Sequence, residues 1–158
     1  MITEDCLLLF CEAISDPGNV GALIRTANAA GAAGVILTSG CADLYSQKVI
    51  RATAGSIFRI PCVEASDALF VTDYLKSRRV NLAAAHPRGN VSLYSADLRH
   101  ACCIMIGNES RGLSPEISAK ADLTIKIPMK AGAESLNAAA AGSIMLYEAV
   151  RQKGNYRF

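Results

Sequence analysis

The chain has 158 residues, 51% hydrophobic and 6% aromatic with no Trp, and its 16 Lys and Arg against 14 Asp and Glu leave a net charge of +2. That length fits one domain of ~100–150 residues. A net charge of +2 is unlike that of a dedicated nucleic-acid-binding module, yet by itself decides neither for nor against RNA.

In chain order, Cys6–Ala13 reads as a strand, Val20–Ala30 as a helix, Gly34–Thr38 as a strand and Ser46–Ala54 as a helix. Ile60–Glu64, Val80–His86, Ala101–Gly107 and Leu123–Ile127 continue the strands. Ala68–Arg78, Pro115–Ala119 and the long Leu136–Gln152 continue the helices, leaving Gly154–Phe158 as a tail. Near-continuous apolar strands separated by helices predict an α/β fold, a parallel sheet flanked by helices on both faces. The six cysteines, Cys6, Cys11, Cys41, Cys62, Cys102 and Cys103, form no C-x-x-C pair and sit mostly in apolar runs. They read as free thiols serving as small core hydrophobes, a usage that fits a reducing cytoplasm. Glu4 and Asp5 stand where a signal peptide would be basic, and no apolar run nears the ~20 residues of a membrane span. The expectation is a soluble cytoplasmic protein.

Several enzyme classes drop out. Ser15-Asp-Pro-Gly-Asn-Val-Gly21 after the first strand is not the G-x-G-x-x-G of a dinucleotide fold. Gly107-Asn-Glu-Ser-Arg-Gly112 spaces its glycines like a phosphate-binding loop but lacks the Lys-Ser/Thr pair that grips phosphate and magnesium. Ser143 has no nucleophile elbow around it.

Three segments carry candidate chemistry. In Asp16-Pro-Gly-Asn-Val-Gly-Ala-Leu-Ile-Arg-Thr-Ala27, Pro17 and Gly18 make a turn and Asn19 is placed to cap a helix. Arg25 follows six residues later among small apolar residues, either as a surface charge or as a functional cation. In Ile104-Met-Ile-Gly-Asn-Glu-Ser-Arg-Gly-Leu-Ser-Pro-Glu116, a buried strand ends in a glycine-bracketed loop, and Ser114 and Pro115 open the next helix as N-cap and first residue. Ligands of parallel sheets gather at such strand ends, and Gly107 would admit a ligand close to the backbone. Glu109 there either faces a ligand or is a solvated charge. In Ile125-Lys-Ile-Pro-Met-Lys-Ala-Gly-Ala-Glu-Ser-Leu-Asn137, a strand ends at Pro128 and either Ser135 or Asn137 opens the last helix. The alanines after Asn137 give that helix a bare face, for a ligand or for tight packing.

Together and in this order, N-x-G-x-x-x-R, G-N-E-x-x-G, and I-P-M with S-L-N resemble the three motifs of the SpoU (TrmH-type) RNA 2′-O-ribose methyltransferases of the SPOUT superfamily. The likeness runs from about Ile14 to Val150, and Asp43–Gly55 is similar to a segment of the ribosomal-RNA branch. The resemblance implies a parallel sheet with a C-terminal deep trefoil knot, otherwise almost absent from proteins. It implies a homodimer that binds S-adenosyl-L-methionine and methylates a ribose 2′-hydroxyl, with no metal and no membrane. The cofactor would lie against backbone at Gly107, Ile127 and Leu136, with Asn108 and Met129 nearby. The matching Arg25 would act at the cofactor of the other subunit, charged, stabilising the oxyanion that forms. Ser135 and Asn137 would orient the ribose or the arginine, Glu109 would hold the loop or substrate, and Asn19 would fix Arg25's helix. Leu23, Leu146 and Tyr147 are candidate subunit contacts on the first and last helices.

Two departures from the family pattern stand out. Ala138-Ala139 replaces the frequent Val-Ser after S-L-N. The separate N-terminal RNA-binding domain of ribosomal-RNA members has no counterpart ahead of the first strand. Residues 1–158 are therefore expected to be one catalytic domain, of a longer protein rather than a minimal member. The expected substrate is ribosomal RNA, the alternatives being transfer RNA or an inactive RNA-binding assembly protein with the same fold.

Overall fold

Strands apolar on both faces need cover on both sides, and the computed structural model, which describes residues 2–132 and 135–154, supplies it. In β1 (Leu7–Cys11), Leu7, Leu9 and Cys11 face one core cluster, while Leu8 and Phe10 face the other. β6 (Cys102–Ile106) alternates the same way, with Cys102, Ile104 and Ile106 opposed to Cys103 and Met105. With β2 (Gly34–Thr38), β3 (Cys62–Ala65), β4 (Asn81–Ala85), β5 (Val91–Ser92) and β7 (Leu123–Lys126) they form one sheet, ordered β3-β2-β1-β6-β4-β7-β5. Every neighbouring pair is parallel. The α/β expectation holds.

The first core cluster is closed by α1 (Pro17–Ala29), α2 (Gln47–Ala52) and α5 (Ala138–Lys153) through Leu23, Ile24, Val49, Met145 and Leu146. The second is closed by α3 (Ala68–Ser77) and α4 (Pro115–Ser118) through Leu75 and Ile117. Leu23 and Leu146 are thus 0% exposed inside the chain's own core and are not available as subunit contacts. An apolar helix residue marks a covered face without saying what covers it. Tyr147, 47% exposed, remains on the surface.

All six expected strands form, with ends shifted by local chemistry. β1 stops at Cys11, two residues short of Ala13, whose φ of 52° turns the chain. α5 starts at Ala138 because the Asn137 side chain caps it, accepting from the N–H groups of Ala139 and Ala140 at 2.9 and 3.2 Å. α1 starts at Pro17 because Asp16, not Asn19, is its cap: the Asn19 N–H donates to Asp16 Oδ1 at 2.7 Å. β5 and the 3-10 turns at Ser56–Phe58 and Leu93–Ser95 were not expected. Residues 155–158 of the expected tail lie outside the described residues.

All six thiols are free, and burial pushes Cys102 up to about 11 and Cys11 and Cys103 well above the ordinary thiol value. Such protonated, desolvated thiols behave as core hydrophobes.

β7 lies between β4 and β5 although it follows both in the chain. Only residues 86–90 join those two parallel strands, far fewer than the usual crossover. The short path runs over β7 itself. A Cβ on Gly89 would stand 2.6 Å from Ile125 C and Lys126 N, so only glycine lets the two backbones touch. The His86 N–H donates to Ile125 O at 2.9 Å, and Thr124 Oγ1 donates to Asn90 Oδ1 at 2.6 Å, tying the crossing down.

Candidate active site

The carboxyl ends of β6, β4 and β7 are neighbours, and the segments leaving them enclose a cavity of about 460 Å³. Its apolar lining includes Ile106, Ile125, Ile127, Met129, Leu136 and Ala138; its polar lining includes Asn108, Glu109 and Ser135. All five expected cofactor residues, Gly107, Asn108, Ile127, Met129 and Leu136, are here. Of the expected catalytic residues Glu109 and Ser135 join them, whereas Asn19, Arg25 and Asn137 do not line it. The alanine face of α5 is divided: Ala138 and Ala141 line the cavity, and Ala139 is packed in the core.

A network of side chains joins the cavity loop to α1 and α5. The Glu109 carboxylate accepts from the Ser15 and Asp16 N–H groups at 3.3 and 3.1 Å and from Asn19 Nδ2 at 3.1 Å. Asn19 Oδ1 in turn accepts from Asn137 Nδ2 at 2.9 Å. Burial alone would raise the Glu109 carboxyl, but the hydrogen bonds from Asn19, Asp16 and Ser15 outweigh it and hold the group below its ordinary value. Glu109 therefore holds the loop against α1. Asn19, 9% exposed, is the middle link of that network rather than a helix cap.

The loop is also closed on itself. Asn108 and Gly112 exchange both backbone hydrogen bonds, at 3.0 and 2.8 Å, and Asn108 Nδ2 donates to Ala13 O at 2.8 Å. Gly107 is needed for this closure: an added Cβ would overlap the backbone of Gly112 and Leu113. The chain's own backbone thus makes a close approach at Gly107. Glu12, not singled out in the sequence, accepts from the Ser114 N–H and Oγ, both at 2.7 Å, and so pins the start of α4 to the end of β1. His86, Arg88 and Arg111 also line the cavity and were likewise missed. Their only sequence signal was position just after strand ends.

Arg25 is exposed on α1 and has no hydrogen-bond or ion-pair partner among the described residues. Among those residues there is also no cluster of three or more His, Cys, Asp or Glu able to hold a metal, and no helix long and apolar enough to cross a membrane.

The sequence profile of the SpoU rRNA Methylase family matches residues 6–147. The chain belongs to this family. One SpoU relative, a 23S rRNA (uridine(2479)-2′-O)-methyltransferase of Streptomyces viridochromogenes, is 37% identical over 157 residues, 96% of this chain and 55% of that protein. A second, the 23S rRNA (guanosine(2553)-2′-O)-methyltransferase RlmP of Bacillus subtilis, is 35% identical over 140 residues, 89% of this chain and 56% of that protein. The solved structure of the SpoU methyltransferase AviRb from Streptomyces viridochromogenes with AdoMet matches with a TM-score of 0.93 at 36% identity, covering 99% of this chain and 61% of that one. The chain spans about half the length of these curated SpoU relatives.

Proposed function

We propose that this SpoU-family chain transfers a methyl group from S-adenosylmethionine to a ribose 2′-hydroxyl of ribosomal RNA. One observation carries the reading: a cavity at three adjacent strand ends is hydrogen-bonded, through Glu109, Asn19 and Asn137, to the helix that presents Arg25, which has no partner among the described residues. Its volume of about 460 Å³ lies within the ~300–1,000 Å³ of small-molecule and cofactor sites. Apolar walls with a few polar groups suit a molecule carrying both an aromatic base and an amino acid. Ile127, Met129 and Leu136 would contact the apolar parts of the cofactor, and the loop at Gly107 and Asn108 would offer backbone groups.

When bound, S-adenosylmethionine supplies an electrophilic methyl group. The 2′-oxygen would take that methyl, S-adenosylhomocysteine would leave and the hydroxyl proton would pass to solvent water, while Arg25 would stabilise the charge that develops on the oxygen. A guanidinium stays charged, so its role is electrostatic rather than that of a base. Ser135, exposed at the cavity, would position the ribose. Asn137, Asn19 and Glu109 would keep α1, α5 and the loop in register.

Because Arg25 does not line its own chain's cavity, the site is best completed by a second copy, making the enzyme a homodimer. The outward faces of α1 and α5, with Arg25, Ile144 and Tyr147, would form the contact. The passage of residues 86–90 over β7 supports a deep trefoil knot at the C-terminal half. Residues 1–158 would make up one catalytic domain, and the six free thiols suit a cytoplasmic place.

Calorimetric titration with S-adenosylmethionine, followed by transfer of labelled methyl to ribosomal and transfer RNA, tests the reading. Saturable cofactor binding with labelling of ribosomal RNA is expected. A folded chain with no cofactor affinity would instead be an RNA-binding scaffold, and labelling confined to transfer RNA would change the substrate class.

A further inference from the structure

The segment after β2 takes no part in the cavity, yet it carries the most exposed large hydrophobic side chain among the described residues, Phe58 at 82%, with Tyr45 at 68%. Single exposed rings are ordinary on a protein surface. These two are set among cations. Lys48, Arg51 and Arg59 are all exposed and have no hydrogen-bond or ion-pair partner among the described residues. The one carboxylate of the segment, Asp43, accepts from the Tyr45 N–H at 2.9 Å, against three cations.

We propose that Tyr45, Lys48, Arg51, Phe58 and Arg59 form a platform for single-stranded RNA, continuous with Arg25, that holds nucleotides flanking the methylated one. The proposal rests on the RNA methyltransferase reading for its ligand and adds where that ligand lies.

The segment is firmly mounted. Leu44, Val49, Thr53, Ser56 and Ile60 are buried beneath it, so its outward residues alternate with fixed anchors. Ser46 caps α2, accepting from the Val49 N–H at 3.3 Å. Ala54 and Gly55, with φ of 47° and 81°, then turn the chain sharply into the 3-10 turn that presents Phe58. Preorganised rings lose little freedom when a base stacks on them.

The platform adjoins Arg25 through α1. Gly21 lies against Ala52 so closely that a Cβ would overlap it, and Asn28 Nδ2 donates to Ser56 Oγ at 3.4 Å. Arg25 lies four residues after Gly21 and three before Asn28, on the same side of the helix. Arg25 on α1, Lys48 and Arg51 on α2 and Arg59 after the turn thus stand exposed on elements that pack against one another. Rings that stack bases and cations that meet phosphates are the two elements of single-strand recognition. A protein-protein contact fits less well, because the cores of such contacts are depleted in charge.

The test is fluorescence anisotropy of a labelled oligouridylate with the full chain, alongside calorimetry with S-adenosylmethionine and light scattering. Phe58→Ala and Tyr45→Ala should each weaken RNA binding by about tenfold, the scale of one lost base stack. Cofactor affinity and particle mass should not change. Lys48→Gln should flatten the dependence of log affinity on log salt by ~0.7, the loss of one phosphate contact. Wild-type RNA affinity in both aromatic variants would overturn the proposal. So would a loss accompanied by a lower mass, which would make the patch a contact between copies. A wild-type chain that binds RNA here but no S-adenosylmethionine would support the platform while sinking the methyltransferase reading.

Discussion

Glu109 and Arg25 illustrate how little a residue's type says before its neighbours are known. Both are charged and exposed, yet Glu109 is fully engaged and Arg25 is free among the described residues. Glu109 is held below its ordinary value of 4.5, so it favours the folded state above that pH and loses this contribution as pH falls through its lower folded value. Glu109→Gln should therefore be less stable than wild type in urea at neutral pH, and the difference should shrink in acid below 4.5. A gap independent of pH would mean that the charge is irrelevant there. Arg25→Ala should fold and bind S-adenosylmethionine normally, yet lose ~10²–10³-fold in single-turnover methyl transfer, the typical cost of one lost stabiliser of developing charge. Arg25→Lys should recover little, since a point charge does not reproduce the guanidinium fork. The Asp16 cap was legible and overlooked: Pro17 after it is the ordinary first helical residue. The bonds from Ser114 to Glu12 were not legible, because 102 residues separate the partners and only the sheet brings them together.

At the scale of elements, glycines decide how closely the chain passes itself. Gly142 on α5 leaves room for Leu23 of α1, whose Cδ2 an added Cβ would overlap, with Ile106 Cγ1 at 3.3 Å behind it. Leu23 is fully buried and has nowhere to move. Gly142→Ala should therefore lower the thermal midpoint. Overpacking at ~1–3 kcal/mol outweighs the ~1 kcal/mol gained in helix propensity. An unchanged or raised midpoint would show that the two helices can separate freely. Gly107→Ala should be more damaging, because its Cβ meets backbone rather than a side-chain tip. Lost cofactor affinity in that variant would report a broken loop rather than a blocked pocket. The major strands were readable because both faces are buried and each is nearly all apolar. β5 was not, since two residues flanked by turn formers show no period.

For the whole molecule, the three sequence motifs come to one edge of the sheet because each stands at a strand end and the strands are parallel. Motif spacing does not say which side of α1 faces the cavity, so the separation of Arg25 from it became visible only in the fold. In the proposed mechanism that separation is met by a second copy. Light scattering at micromolar concentration should give twice the chain mass of 16.7 kDa, and Tyr147→Glu on the outward face of α5 should reduce it to one. A monomeric wild-type chain would remove the shared site. Digestion to nucleosides and mass spectrometry of ribosomal RNA after incubation with the chain and isotopically labelled S-adenosylmethionine tests the chemistry itself. The label is predicted in a ribose 2′-O-methyl nucleoside with wild type and at most a trace of it with Arg25→Ala. Label on a base, or equal ribose labelling by both proteins, would contradict the account.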